Sequence, residues 1–291
     1  MEHYDILIIG AGAAGMAAAR AAYESGCESI LLVDRKASNG GILRQCLHRG
    51  FGAGMNGPEY ADQLGSTLDP KITTLFDTTV LSLTEQREVV LSGREIGCKK
   101  VHFHQLILAC GCLEIPFGAL PITGTRPKGI YTAGQMQEMM NLHGFLPQGP
   151  VVILGSGDLG LIMARHITDA GIPIAAMIEK NPACGGMARN RKVLEEGAFP
   201  LYCSTTIASV SGDSALESVH LSNGESIPCK TLLIAAGLRP DRSLIQSITM
   251  QPWIQLCGNC AKVYPMIEAV VQDGRKAGQT AWQRICATHT A

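Results

Sequence analysis

Side chains able to do chemistry gather at three places in this chain. The segment from Ile42 to Gly54 holds Gln45, Cys46, His48 and Arg49, a set suited to proton transfer or to orienting a polar ligand. Cys46 reads either as a redox thiol or as a buried structural cysteine, the second being favoured. His48 reads either as a proton-transfer group or as a packing histidine. The second place is a pair of cysteine clusters, Cys110-Gly111-Cys112 and Cys257-Gly258-Asn259-Cys260, both ending strand-like runs. CxC with CxxC fits iron–sulfur ligation or a disulfide. The third is a pair of acids, Asp34 and Glu179, each twenty-four positions after the first glycine of a GxGxxG motif.

The elements that would carry the acids are readable. Tyr4–Ile9 is an apolar run of strand length, followed by Gly10-Ala11-Gly12-Ala13-Ala14-Gly15 and an Ala-rich helical stretch, Met16–Tyr23. The apolar run Ser29–Val33 then ends on Asp34. Gly10 permits a tight strand-to-helix turn, Gly12 lets backbone approach a pyrophosphate, and Gly15 lets helix and strand pack closely. N–H groups at the helix start face the phosphates, and Asp34 accepts from a ribose. The plan then repeats. Val151–Leu154 leads into Gly155-Ser156-Gly157-Asp158-Leu159-Gly160, a helical stretch Leu161–Ala170, and a strand Ile174–Ile178 ending on Glu179. Thr231–Gly237 echoes Leu106–Gly111. One GxGxxG is weak evidence; two in register with strand, helix and acid indicate a duplicated dinucleotide-binding unit.

The fold expected is α/β, with two Rossmann-like ββα domains. Pro58–Leu68 reads as a helix; Thr73–Leu83, Glu88–Leu91 and Val101–Leu108 read as strands, and Gly118–Gly129 as a linker. Ile254–Leu256 is a last strand and Met266–Ala287 a last helix. That helix follows the second copy, so it is assigned to the first domain, which then comprises residues 1–118 plus 242–291, with 119–241 inserted.

Composition narrows the class. The 291 residues suit two domains of ordinary size, and a net charge of −1 with mixed signs gives no footing for nucleic acid or an anionic membrane. No apolar run is long enough to span a bilayer. Glu2 and Asp5 stand where a signal peptide would carry basic residues. Eleven scattered cysteines do not form a disulfide framework, and a reducing cytoplasm is the expected compartment.

Taken together, these motifs resemble the flavoproteins with two dinucleotide-binding domains, the pyridine nucleotide-disulfide oxidoreductase-like family of glutathione reductase and low-molecular-weight thioredoxin reductase. The resemblance covers nearly the whole chain. Three stretches, Gly40–Gly52, Arg126–Gly134 and Leu154–Arg165, are more specifically similar to the FAD/NAD-dependent oxidoreductase subunits that accompany bacterial glycerol-3-phosphate dehydrogenases. More distant kin are the FAD subunits of opine oxidase and hydrogen cyanide synthase.

The resemblance implies FAD on the first motif, at Gly10, Gly12, Ala13, Ala14, Gly15, Asp34, Arg35, Gly41, Gln45, Val80, Ala109, Gly111, Gly258, Asn259, Pro265 and Met266. It implies NAD(H), and less readily NADP(H), on the second, at Gly155, Gly157, Asp158, Gly160, Glu179 and Gly237. Asn259 replaces the family's usual Asp, Cys110 its Thr, and Tyr264-Pro265 its His-Asp. Because both cysteine clusters fall in FAD-contact motifs, where small residues pack closely, no metal is assigned. The reductases place a flavin-facing cysteine pair at positions matching Leu43 and His48, or a CxxC before the second glycine motif; neither is present here. His48, and more weakly Cys46, are then the candidate catalytic residues. The function expected is electron transfer between NAD(H), FAD and a partner dehydrogenase or oxidase. Alternatives are a stand-alone NADH oxidase or diaphorase, a homo-oligomer, and a non-catalytic nucleotide-binding scaffold. A C-terminal dimerisation domain is expected to be absent.

Overall fold

A computed structural model describes residues 1–289. The described chain divides into two compact units, Met1–Leu113 with Arg239–Ala291, and Glu114–Leu238. Unit 1 opens with β1 (Glu2–Ile9), α1 (Ala13–Glu24), β2 (Ile30–Val33), α2 (Gly57–Gly65), β3 (Thr73–Leu75), β4 (Thr78–Leu83), β5 (Glu88–Gly93) and β6 (Gly97–Leu108). Short strands follow at β7 (Cys112–Glu114) and β8 (Thr123–Gly124). Unit 2 continues with β9 (Ile130–Thr132), α3 (Ala133–His143), β10 (Val151–Leu154), α4 (Asp158–Asp169), β11 (Ile174–Ile178) and α5 (Ala188–Glu196). Then come β12 (Leu201–Tyr202), β13 (Ile207–Ser211), β14 (Ser218–Leu221), β15 (Ser226–Pro228), β16 (Thr231–Ile234) and β17 (Leu238–Pro240). The chain closes in unit 1 with β18 (Ile254–Leu256) and α6 (Ile267–His289).

In unit 1 the sheet order is β3-β2-β1-β6-β5-β4. The twelve-residue β6 takes two partners along one edge: antiparallel β5 on its first half and parallel β18 on its last residues. Residues at the end of β1 are buried on both faces, as central parallel strands require. Ile6, Ile8, Ile30, Leu32 and Ile107 face the helices. Leu7, Ile9, Leu31, Val33 and Phe103 pack on the other side with Val89, Leu91 and Trp253. Unit 2 repeats the plan. Its parallel sheet, β12-β11-β10-β16-β9, packs Val151, Ile153 and Leu233 against Leu161, Met163 and Ile167 of α4. Its other face packs against a sheet of order β15-β14-β13-β8 through Ile207, Val210 and Val219.

Two stretches differ from expectation. Thr73–Leu83 is two strands: Asp77 takes φ 47°, and the chain turns from a parallel pairing with β2 to an antiparallel one with β5. The stretch Gly118–Gly129 is not a bare linker, since Ile122 is buried in the unit 2 core and β8 pairs with β13. The helices α3 and α5 and the strands β12 to β15 had no sequence counterpart.

The closing helix lies against α1 through glycines. A Cβ at Gly274 would stand 2.2 Å from the Ala14 carbonyl oxygen, and one at Gly278 2.1 Å from that of Ala18. Since the obstacle is backbone, relief requires the helices to part. Helix propensity favours Gly278→Ala by about 1 kcal/mol, but overpacking at such a contact costs roughly 1–3 kcal/mol. We therefore expect Gly278→Ala to lower the melting temperature by several degrees; a rise would show that the seam is looser than described.

Candidate functional site

The first glycine loop is built by steric exclusion. Gly10 takes φ +106°, and a Cβ there would meet the Ala109 carbonyl oxygen at 2.4 Å. A Cβ at Gly15 would lie 1.7 Å from the Gly10 carbonyl oxygen. Neither position admits another residue without moving backbone. Gly12 is different, for a Cβ there would meet nothing within 4 Å. Gly12 is also the N-cap of α1, and no side chain caps that helix. The helices α2 and α3 are capped, by Asn56 with Glu59 and by Thr132. An uncapped helix start beside open space is a place where an anion can accept backbone N–H bonds.

Asp34 closes the loop from below: Oδ2 accepts from Ala11 N at 2.6 Å and Oδ1 from Lys36 N at 2.8 Å. It is half-buried, with lone pairs left for a hydroxyl, and Arg35 beside it is exposed. Gly41 approaches Gly12 closely, its Cβ position lying 3.3 Å from the Gly12 Cα, and Gly40 N donates to Ala11 O at 2.8 Å. These glycines form the opposite lip of the groove.

Unit 2 repeats the steric plan of the loop. Gly155 takes φ +106° with its Cβ position 2.3 Å from the Ala235 carbonyl oxygen; that of Gly160 lies 2.2 Å from the Gly155 carbonyl oxygen; Gly157 again faces open space. Gly157 caps α4 without a side-chain bond. The lip is repeated too, because Gly186 N donates to Ser156 O at 2.9 Å as Gly40 does to Ala11. Sequence reading missed this Gly185-Gly186 echo of Gly40-Gly41, although the doublets stand in plain view after each acid.

The second acid is more deeply engaged. Glu179 is 5% exposed and accepts four bonds, from Ser156 N (2.9 Å), Ser156 Oγ (2.6 Å), Asn181 N (2.9 Å) and Asn181 Nδ2 (2.7 Å). Burial opposes its ionisation, but these donors outweigh burial and hold the carboxyl below its ordinary range. Asp158 Oδ1 accepts from Met187 N (2.8 Å) and Asn190 Nδ2 (2.7 Å), pinning the segment that follows Gly186. Gly237, at φ +120°, holds the turn after β16, where its carbonyl accepts from Ile115 N at 3.1 Å.

The other sequence candidates all lie in unit 1. Ala109 is the wall met by Gly10, and Gly111, φ +78°, leaves open space. Gly258, φ +60°, packs on Ala14 and donates its N–H to Asp273 Oδ2 at 2.8 Å. Asn259 Oδ1 accepts from Tyr264 N at 3.0 Å. Pro265 and Met266 are exposed just before α6. Ala13 and Ala14 are buried in the first turn of α1, and Gln45 is buried in the 40–46 segment. Val80 sits on β4 opposite Leu91 and packs with the far face of the sheet. His48 is half-buried against Phe51, ring centroids 5.2 Å apart. Cys46 is buried, its thiol donates to Ile42 O at 3.3 Å, and burial pushes it up to about 12, so it stays protonated near neutrality. Among the described residues no group of His, Cys, Asp and Glu is arranged to hold a metal, and no helix is long and apolar enough to cross a membrane.

The Glu179 cluster yields a pH prediction. A carboxyl held below its unfolded value contributes stability that is fully present above the ordinary carboxylate range and is lost as pH falls through the lowered value. Glu179→Ala strands the Ser156 and Asn181 donors and is expected to cost roughly 1–3 kcal/mol. It should also flatten the acid limb of the urea-unfolding free energy plotted against pH. An unchanged acid limb would remove Glu179 as its source.

The match to known proteins follows the same lines. The chain is similar to an opine oxidase subunit of Agrobacterium tumefaciens, with 28% identity over 84% of this chain and 54% of that one. It is similar to the HcnB subunit of hydrogen cyanide synthase of Pseudomonas protegens, 31% over 60% of this chain and 38% of that one. It is also similar to the alpha subunit of sarcosine oxidase of Rhizobium meliloti, 26% over 82% of this chain and 25% of that one. The chain thus spans about half the length of the opine oxidase relative. Among solved structures, thioredoxin reductase of T. acidophilum superposes with a TM-score of 0.77 at 20% identity, covering 98% of this chain and 100% of that one. Bacillithiol disulfide reductase of Bacillus cereus superposes at 0.76 with 13% identity, covering 99% and 100%. Both give the same two-Rossmann α/β fold. The family model for pyridine nucleotide-disulphide oxidoreductases matches residues 4–256, and the chain belongs to that family.

Proposed function

We propose that unit 1 binds FAD, that unit 2 binds NADH, and that the chain is the electron-transfer part of a flavin oxidoreductase working with a partner dehydrogenase or oxidase. The observation that carries this reading is the pair of open glycines. Gly10, Gly15, Gly155 and Gly160 are demanded by packing within the chain, whereas a Cβ at Gly12 or Gly157 would meet no protein atom. What excludes a side chain there is a ligand that approaches the backbone, and a pyrophosphate at an uncapped helix start fits it.

The family implies FAD and a nicotinamide nucleotide, and when bound these supply the hydride chemistry. The chain's residues bind and orient. Gly12 with the first turn of α1 takes one pyrophosphate, and Asp34 takes the adenosine ribose. Gly157 with α4 takes the other. Glu179, kept ionised by Ser156 and Asn181, favours a free ribose 2′-hydroxyl over a 2′-phosphate. His48, whose ring packs on Phe51, is in this reading the residue that bonds a polar ring edge or moves a proton there. Neither reductase-type cysteine pair is present, so the reading requires no dithiol relay of those types. Opine oxidase and hydrogen cyanide synthase relatives are named as subunits, which supports a partner for this chain.

Anaerobic titration with NADH tests the reading: one equivalent per FAD should bleach a yellow protein. A protein that purifies colourless and takes up no added FAD would refute it. Gly12→Val should leave the melting temperature of the nucleotide-free protein unchanged. It should weaken FAD binding about tenfold or more, some 1.4 kcal/mol, as followed by flavin fluorescence. Gly157→Val should raise the NADH requirement by a similar factor while the protein stays yellow. Equal FAD loss from both variants would mean the two units are not assigned as proposed.

A further inference from the structure

The two acids of this chain end their strands in the same way but keep different reserves. In unit 1, Asp34 takes one backbone bond on each oxygen, from Ala11 N at 2.6 Å and Lys36 N at 2.8 Å. A carboxylate has about four acceptor positions, so others are left over. Unit 2 repeats both bonds, with Ser156 N in the place of Ala11 N and Asn181 N in the place of Lys36 N. It then adds two more. Ser156 Oγ donates to Glu179 Oε2 at 2.6 Å, and Asn181 Nδ2 donates to Oε1 at 2.7 Å. Each Glu179 oxygen now holds two donors, and the residue is 5% exposed. The acceptor that would meet a ribose hydroxyl is taken up here by the protein itself.

Asn181 is the outer member of that cluster. Its backbone is fixed on both sides, since N donates to Glu179 Oε1 at 2.9 Å and the carbonyl accepts from Ser204 N at 2.9 Å. The orientation of its side chain follows from chemistry. An ionised carboxylate only accepts, so the amide turns its NH2 to Glu179 and Oδ1 takes the opposite side. Asn181 is exposed, and among the described residues no donor meets Oδ1. Unit 1 has no such amide, because Lys36 stands at the matching position.

We propose that Asn181 Oδ1 is the group that accepts the adenosine ribose 2′-hydroxyl in unit 2, with Glu179 as the positioning residue that holds the amide for it. The inference rests on the reading that unit 2 takes a dinucleotide. An outward amide oxygen bonds a hydroxyl donor; to a 2′-phosphate dianion, whose oxygens only accept, it offers nothing. Glu179 places a negative charge behind the amide and so opposes the phosphate without touching the sugar. The nucleotide preference is thereby divided between two residues, contact by Asn181 and charge by Glu179.

The test is calorimetric titration of the full chain, as purified, with NAD+ and with its analogue lacking the 2′-hydroxyl on the adenosine ribose. The oxidised nucleotide reports binding without turnover. Wild-type protein should bind the deoxy analogue roughly three- to tenfold more weakly than NAD+, the range of one neutral hydrogen bond. Asn181→Ala should bind NAD+ more weakly by the same factor and no longer distinguish the two nucleotides. Asn181→Ser, too short to reach both Glu179 and the sugar, should behave alike and decides the matter if the first variant fails to fold. A variant that keeps the full preference for NAD+ over the deoxy analogue would overturn the proposal and leave the reading of unit 2 intact. Wild-type protein that binds both nucleotides equally would overturn it in the same way. Wild-type protein that binds neither would overturn it together with that reading.

Discussion

The structure depends on one kind of contact: a helix backbone pressed onto a carbonyl oxygen with no room for a carbon between them. At Gly15 the absent Cβ would lie 1.7 Å from the Gly10 oxygen, and at Gly160 2.2 Å from the Gly155 oxygen. That approach fixes where each helix begins relative to its strand, and so fixes the direction in which the first-turn N–H groups point. In unit 1 the constraint is doubled. The same α1 that Gly15 holds to the loop is held from its other side by Gly274 and Gly278 of α6. A helix gripped on two faces needs small residues on both, which is why α1 reads as alanines and buries them nearly throughout. Its composition follows from packing geometry, not from helix propensity alone.

The two units share this skeleton but differ in how their acids are used. Asp34 accepts two backbone bonds and stays half-exposed, so it supports the loop and still offers acceptors to a ligand. Glu179 is buried under four donors. A buried carboxylate is tolerated only when its lone pairs are met, and removing a donor would leave the charge to be neutralised instead. The longer side chain reaches past the loop backbone to the Ser156 hydroxyl, which in turn accepts from Gly185 N at 3.0 Å. Loop, acid and glycine lip of unit 2 are therefore one hydrogen-bonded assembly, whereas in unit 1 the lip is tied chiefly through Gly40 N and the Arg44 side chain.

How much of this is legible from sequence follows the range of the forces involved. The strand, glycines, helix and acid of each unit lie within one short stretch, so their mutual constraints appear together and the duplication can be read. The α6 seam is not legible, because Gly274 and Gly278 are excluded by Ala14 and Ala18 at the far end of the chain. Nothing local marks them. Ile122 falls in a stretch whose prolines and glycines suggest a linker, yet tertiary contacts bury it. The small β8, β13, β14, β15 sheet escapes for a related reason: strands of two to five residues carry too few side chains to show a period of two. Asp158 looks like a site residue from its place in the motif. Its hydrogen-bond partners, Met187 and Asn190, lie at a helix start that the sequence did not show.

The cysteines carry the same lesson into reactivity. Position in a motif argues for a packing role at both clusters, and for Cys257 that is what burial shows: it is fully enclosed and its thiol is pushed up. Cys260 is equally enclosed, with its thiol donating to the Asp241 carbonyl oxygen at 3.0 Å, whereas Cys110 is half-buried and its thiol stands 3.7 Å from the Ile9 carbonyl oxygen. What separates an inert thiol from a reactive one is the partner that can hold its proton and the side open to a reagent. Sequence spacing reports neither, since both are set by which strand ends lie side by side. In this chain the parallel pairing of β18 with β6 sets them, and that pairing follows from the return of the chain to unit 1 after unit 2 is complete.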